Sequence, residues 1–157
     1  MYKKIVIIDV DNVNQPKLLL AATSLYTKDT LIVPVGLKRN VNRCDPNGKK
    51  WDKLDDWFRF MPNNMKQIPV QHIRPDASDM TIMDYIGKNL IQWKESVEDI
   101  VICSDDVDVF NISIILRHHF RVWMMVTQKL SGPKYERKRH MQQLGLGTVP
   151  LIVVKGT

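Results

Sequence analysis

The stretch Ile5-Val6-Ile7-Ile8-Asp9-Val10-Asp11-Asn12 decides how this chain folds. Its four leading residues are apolar and β-branched without a polar interruption, as suits a strand covered on both faces rather than one with a wet side. The run breaks off at Asp9. Downstream, Gln15 to Tyr26 reads as a helix, with Pro16 in its first turn and Leu18, Leu19, Ala22 and Leu25 at helical spacing. Leu31 to Val35 is a second strand that ends at Gly36, and residues 38–50 form a polar, basic loop with turn chemistry at Pro46-Asn47-Gly48. Trp51 to Phe60 fits a short amphipathic helix, and Val70 to Ile73 a third strand.

Ser78 then caps a longer helix, on which Met80, Met83, Ile86, Leu90 and Ile91 make an apolar stripe running to Trp93. Ile100-Val101-Ile102-Cys103 is the next strand and ends at Ser104-Asp105-Asp106-Val107-Asp108. A helix from about Val109 to His118, a strand from Arg121 to Val126 and a last strand at Leu151 to Val154 complete the pattern. Strands alternating with helices define an α/β class with a mainly parallel central sheet. At 157 residues the chain fits one domain.

Composition narrows the class further. A hydrophobic fraction of 44% and a charged fraction of 25% are those of a globular chain. Neither a membrane-spanning run nor a signal-peptide core is legible. Cys44 and Cys103 lack metal-binding spacing, and the expected setting is cytoplasmic and reducing. The net charge of +6 is unevenly distributed: residues 1–70 carry +5, residues 71–110 carry −6 and residues 111–157 carry +7. An acidic centre between basic flanks suits an enzyme that binds cations at its site and a polyanion around it.

The acidic centre gathers around strand ends. In an open parallel sheet, ligands bind beyond the carboxyl ends of the strands. Two strands here end at once in aspartates, at Asp9 and at Ser104-Asp105-Asp106, and Asp76, Asp79 and Asp84 surround the start of the Ser78 helix. Carboxylates crowded together raise one another's pKa unless a cation neutralises them. Hard oxygen ligands select Mg²⁺ or Mn²⁺. Each aspartate also has a plainer reading, as a helix cap or turn residue.

Ile8-Asp9-Val10-Asp11-Asn12 resembles the opening I-D-x-D-N motif of NYN domains, a branch of the PIN-like nuclease superfamily. Ser78-Asp79 with Asp84 is similar to that family's central acidic helix, and Ile102-Cys103-Ser104-Asp105-Asp106-Val107-Asp108 to its S-G-D-x-D-F signature. The likeness spans about residues 4–127, leaving a basic extension over about 128–157 within a single PIN-like domain of residues 1–157. It implies a three-layer α/β/α sandwich and a ribonuclease that cleaves RNA endonucleolytically. Asp9, Asp79, Asp106 and Asp108 would be the catalytic, metal-holding residues for Mg²⁺ or Mn²⁺, supported by Asp11, Asn12, Ser104, Asp105 and Asp84. Two positions depart from the family: Asp105 stands where Gly is usual, and Val109 where Phe is common.

Two alternatives stay open. Asp9-Val10-Asp11-Asn12-Val13 satisfies the D-x-D-x-T/V signature of HAD-type phosphatases, with Asp9 as nucleophile, Asp11 as acid/base and Asp105 with Asp106 as a Mg²⁺ pair. A PIN-like RNA-binding module without turnover is the other. For nucleic acid, the expected phosphate contacts are Lys38, Arg39, Arg43, Lys49 and Lys50 in one cluster, and Lys134, Arg137, Lys138 and Arg139 in a second. Trp51 and Trp57 beside the first cluster suit either base stacking or core packing. The expected partner is RNA, single-stranded or structured, with no membrane; a homodimer or a protein partner is compatible with a chain of this size.

Overall fold

A computed structural model describes residues 1–10, 21–22, 24–37, 66–72, 78–104, 106, 109–126, 149 and 151–153. The elements are β1 (Lys4–Asp9), β2 (Thr30–Leu37), β3 (Val70–His72), α1 (Ser78–Trp93), β4 (Asp99–Cys103), α2 (Phe110–Leu116), β5 (Arg121–Val126) and β6 (Leu151–Val153). Each expected strand is present within a residue or two of its ends. The expected helix at 51–60 and the basic loop at 38–50 lie outside the described residues, as does most of the helix expected at 15–26, of which Ala21 and Ala22 are helical.

The six strands form one sheet in the order β3-β2-β1-β4-β5-β6, and every pair is parallel. Successive residues of a strand face opposite sides, so β1 divides its side chains between two cores. Ile5 and Ile7 join Leu31, Val33, Ile100 and Ile102 on the face covered by α1 and α2. Val6 and Ile8 join Ile32, Val101, Cys103 and Met125 on the other, where Ala21, Ala22, Leu25 and Tyr26 pack. The architecture is therefore a three-layer α/β/α sandwich. All four apolar residues of β1 have zero exposure, which is why their sequence shows no alternation.

Pro34 sits inside β2 without breaking the β1 side, where it pairs with Ile8. Ile32 accepts from Ile68 and donates to the Lys66 carbonyl, so the even-numbered residues of β2 turn their backbone groups toward β3. The β2–β3 ladder begins only at Val35 opposite Val70. Proline has no N–H to donate, and it occupies the step where the ladder is interrupted.

The expected stripe on α1 requires correction. Ile82, Ile86 and Trp93 are its buried apolar residues, whereas Met80 is 71%, Met83 53% and Ile91 83% exposed. A helix turns about 100° per residue, so a series at intervals of three drifts by about 60° per step. The line 82–86–93 stays on one face, and 80–83–91 lies on the opposite one. Gly87 belongs to the outer face, and a Cβ built there meets nothing within 4 Å. Gly87→Ala is therefore expected to stabilise the fold by about 0.5–1 kcal/mol through helix propensity, read as a higher urea midpoint at unchanged slope. A lower midpoint would contradict the open environment at this position.

At the amino ends of the strands, Arg121 reaches Asp99 across the β4–β5 pair at 2.7 Å, with Glu98 at 3.6 Å. The arginine is largely exposed, and such pairs contribute about 1 kcal/mol or less. The stability of the sheet rests on its two apolar layers.

Candidate active site at the β1–β4 junction

The chain leaves β1 for β2 and β3 on one side, then returns to the other side of β1 to lay down β4, β5 and β6. The junction between β1 and β4 is thus the point where successive connections diverge, the position beyond whose carboxyl strand ends open parallel sheets bind ligands. Ile8 pairs with Cys103, so Asp9 and Ser104 stand side by side one step further on. Both continue the side of the sheet that carries Ile5, Ile7, Ile100 and Ile102, because residues two apart share a face.

The contact follows from that register. Ser104 Oγ donates to Asp9 Oδ2 at 2.8 Å, and both residues have zero exposure. The Asp106 backbone N–H donates to Ser104 Oγ at 3.0 Å. With its lone pair so engaged, the serine hydroxyl is oriented as a donor to the carboxylate. The Ser104 backbone N–H bonds to the Met125 carbonyl of β5 at 3.2 Å, and the Val109 N–H to the Asp106 carbonyl at 3.2 Å. These bonds tie Ser104 to the sheet and Asp106 to the start of α2. Asp106 is partly exposed at the rim.

A buried carboxylate needs donors to offset lost hydration. Ser104→Ala removes one of them and is expected to cost about 1–3 kcal/mol, measured by urea unfolding. A change within a few tenths of a kcal/mol would show that this hydrogen bond does not hold Asp9.

Of the other expected site residues, Asp79 and Asp84 are described. Asp79 is partly buried in the first turn of α1, a helix that packs over β2 and β3. Asp84 is exposed on α1 and pairs with Lys88 at 2.8 Å, one turn along. Asp11, Asn12, Asp105 and Asp108 lie outside the described residues, as do Lys38, Arg39, Arg43, Lys49, Lys50, Lys134, Arg137, Lys138 and Arg139. Among the described residues, no group of three or more His, Cys, Asp or Glu side chains could hold a metal ion. Asp9 and Asp106 alone do not make up a ligand set for Mg²⁺ or Mn²⁺. Ser104 is the site member whose role sequence reasoning understated. Its position after an apolar strand, level with Asp9, was the available signal.

No family model matches the chain, and no curated protein matches it. An isochorismatase-like hydrolase from Alkaliphilus metalliredigens, known from its crystal structure, is similar at 14% identity and a TM-score of 0.47, over 96% of this chain and 93% of that one. The NYN and PIN-like assignment is accordingly corrected: no family model supports it, and the described members of its implied aspartate cluster do not form a metal-holding group. The physical reason is that an apolar strand ending in aspartates marks a strand end and its turn, which many parallel sheets share. The metal-dependent ribonuclease reading is corrected with it: Asp9, Asp79 and Asp106, though all described, do not assemble into a metal-holding group. Among the described residues no helix is long and apolar enough to cross a membrane.

Proposed function

We propose that the chain is a hydrolase whose reactive group is the Asp9 carboxylate, with Ser104 as its positioning residue. The observation that carries this reading is the buried Ser104–Asp9 hydrogen bond of 2.8 Å at the sheet's switch point. Ser104 holds one carboxylate oxygen in a defined direction, and burial keeps bulk water from competing for it. A carboxylate so held is suited to act as a general base. It takes a proton from water as the oxygen attacks an acyl or phosphoryl centre, and the proton passes to the departing group as its bond breaks. We assign Asp106 to the leaving-group side, because it follows Ser104 at the rim and is partly exposed. The carboxylate, and not the distant structural likeness, supports the assignment.

The test is a hydrolysis screen of the purified chain on p-nitrophenyl acetate, p-nitrophenyl phosphate and an arylamide. Hydrolysis of at least one, lost in Asp9→Asn and retained in the surface control Asp84→Asn, is the expected result. No turnover on any substrate class, or equal loss in both variants, would count against Asp9 as the reactive group.

A further inference from the structure

A second concavity lies at the opposite end of the sheet. It encloses about 460 Å³ beneath the amino ends of β1 and β2, walled by the last turns of α1. Roughly 17 Å of strand separates it from Asp9, taking about 3.3 Å per residue along β1. The volume is that of a small-molecule site, but its place at the amino ends of the strands sets it apart from the candidate site at Asp9.

Its lining is aromatic on one side. Tyr2, Tyr85 and Trp93 contribute rings, and Tyr85 meets Trp93 edge-on, with centroids 5.7 Å apart. Leu31 and Ile68 add apolar floor. Burial, and after it the neighbouring Tyr2 phenol, raise the Tyr85 hydroxyl above its ordinary pKa, so that at neutral pH it is a neutral donor. Asn89 gives one amide hydrogen to the Tyr85 carbonyl at 2.8 Å, which fixes its side chain at the wall. Of the charged lining residues Lys28, Asp29, Lys66 and Glu95, Lys66 is the one whose ammonium is held near an aromatic ring. Its backbone N–H is anchored on Tyr26 Oη at 3.0 Å. Its ammonium lies 5.9 Å from the Tyr2 ring centre and 3.4 Å from the Lys28 carbonyl. Neither partner carries a full negative charge, and among the described residues no carboxylate forms an ion pair with Lys66.

We infer that this concavity is a binding site for a small aromatic anion, its ring set against Tyr2, Tyr85 and Trp93 and its charge against the Lys66 ammonium. Offset or edge-on packing suits a planar ligand better than an aliphatic one of equal volume. An anion replaces the weak carbonyl and ring contacts of Lys66 with a charge-assisted bond.

The test is calorimetric titration of the full chain with 2-naphthoate, and separately with the neutral 2-naphthalenemethanol. Naphthoate is expected to bind with one-to-one stoichiometry. Lys66→Gln, an exposed position that leaves the fold intact, should weaken naphthoate about tenfold, as for one charge-assisted hydrogen bond, and leave the neutral probe unchanged. Tyr85→Leu should weaken both probes, and Asp9→Asn neither. The inference is overturned by absence of saturable naphthoate binding, or by Lys66→Gln binding naphthoate as the parent does. Binding lost in Asp9→Asn and retained in Lys66→Gln would place the anion at the other end of the sheet and would likewise overturn it.

Discussion

Asp9→Asn is expected to lower hydrolytic turnover by about 10²–10⁴-fold, the range over which positioned general bases act, while the chain stays folded. The substitution keeps the shape of the side chain and its carbonyl acceptor, so Ser104 Oγ can still donate at the observed 2.8 Å contact. What disappears is the group that accepts the proton. Asn at this buried position removes a charge from a site with zero exposure, and relief of desolvation offsets part of any packing loss. Activity and stability should therefore separate: turnover collapses while the urea midpoint moves little. Ser104→Ala should act differently, lowering turnover and stability together, because it leaves the base in place and loosens its orientation. If Asp9→Asn unfolded the chain at 25 °C, Asp9 would be a structural residue and the proposed chemistry would have lost its centre.

The largest expected loss of stability belongs to Phe110→Ala, at about 3–5 kcal/mol. Phe110 has zero exposure and heads the fully buried side chains by volume. It opens α2 and packs into the same layer as Ile102, Ile112 and Leu116. Its carbonyl accepts from Ser113 Oγ at 2.6 Å within the helix. Truncation leaves a cavity between α2 and the sheet, and α2 is a helix of seven residues that tertiary packing must hold in place. A domain's whole stability is about 5–15 kcal/mol, so the variant should populate unfolded chain measurably without denaturant. Ile115→Ala on the same helix, 61% exposed, should shift stability by no more than about 0.5 kcal/mol. Equal effects at the two positions would mean that α2 is not docked through Phe110.

Much of this architecture was legible along the chain. Unbroken β-branched runs such as Ile5–Ile8 and Ile100–Cys103 can be buried on both faces only in a covered sheet, so they announced both the strands and the three layers. The core face of α1 was legible at Ile86, Leu90 and Trp93, but Met80, Met83 and Ile91 were read onto it because they are as apolar as the residues that are buried. Composition alone cannot say which side of a helix meets a sheet. The acidic site was legible in part. Asp9 and Ser104 terminate strands, and strand ends are visible in sequence; Asp84 shared their charge but pairs with Lys88 in solvent.

Local hydrophobicity dictates where a strand stops, so Asp9 could be read from the chain as the end of a strand buried on both faces. That Ser104, 95 residues away in sequence, hydrogen-bonds to it could not be read there. That contact depends on strand order and register, which arise from the packing of whole elements against one another. The same packing buried Asp9 beside Ser104 and left Asp84 in solvent with Lys88.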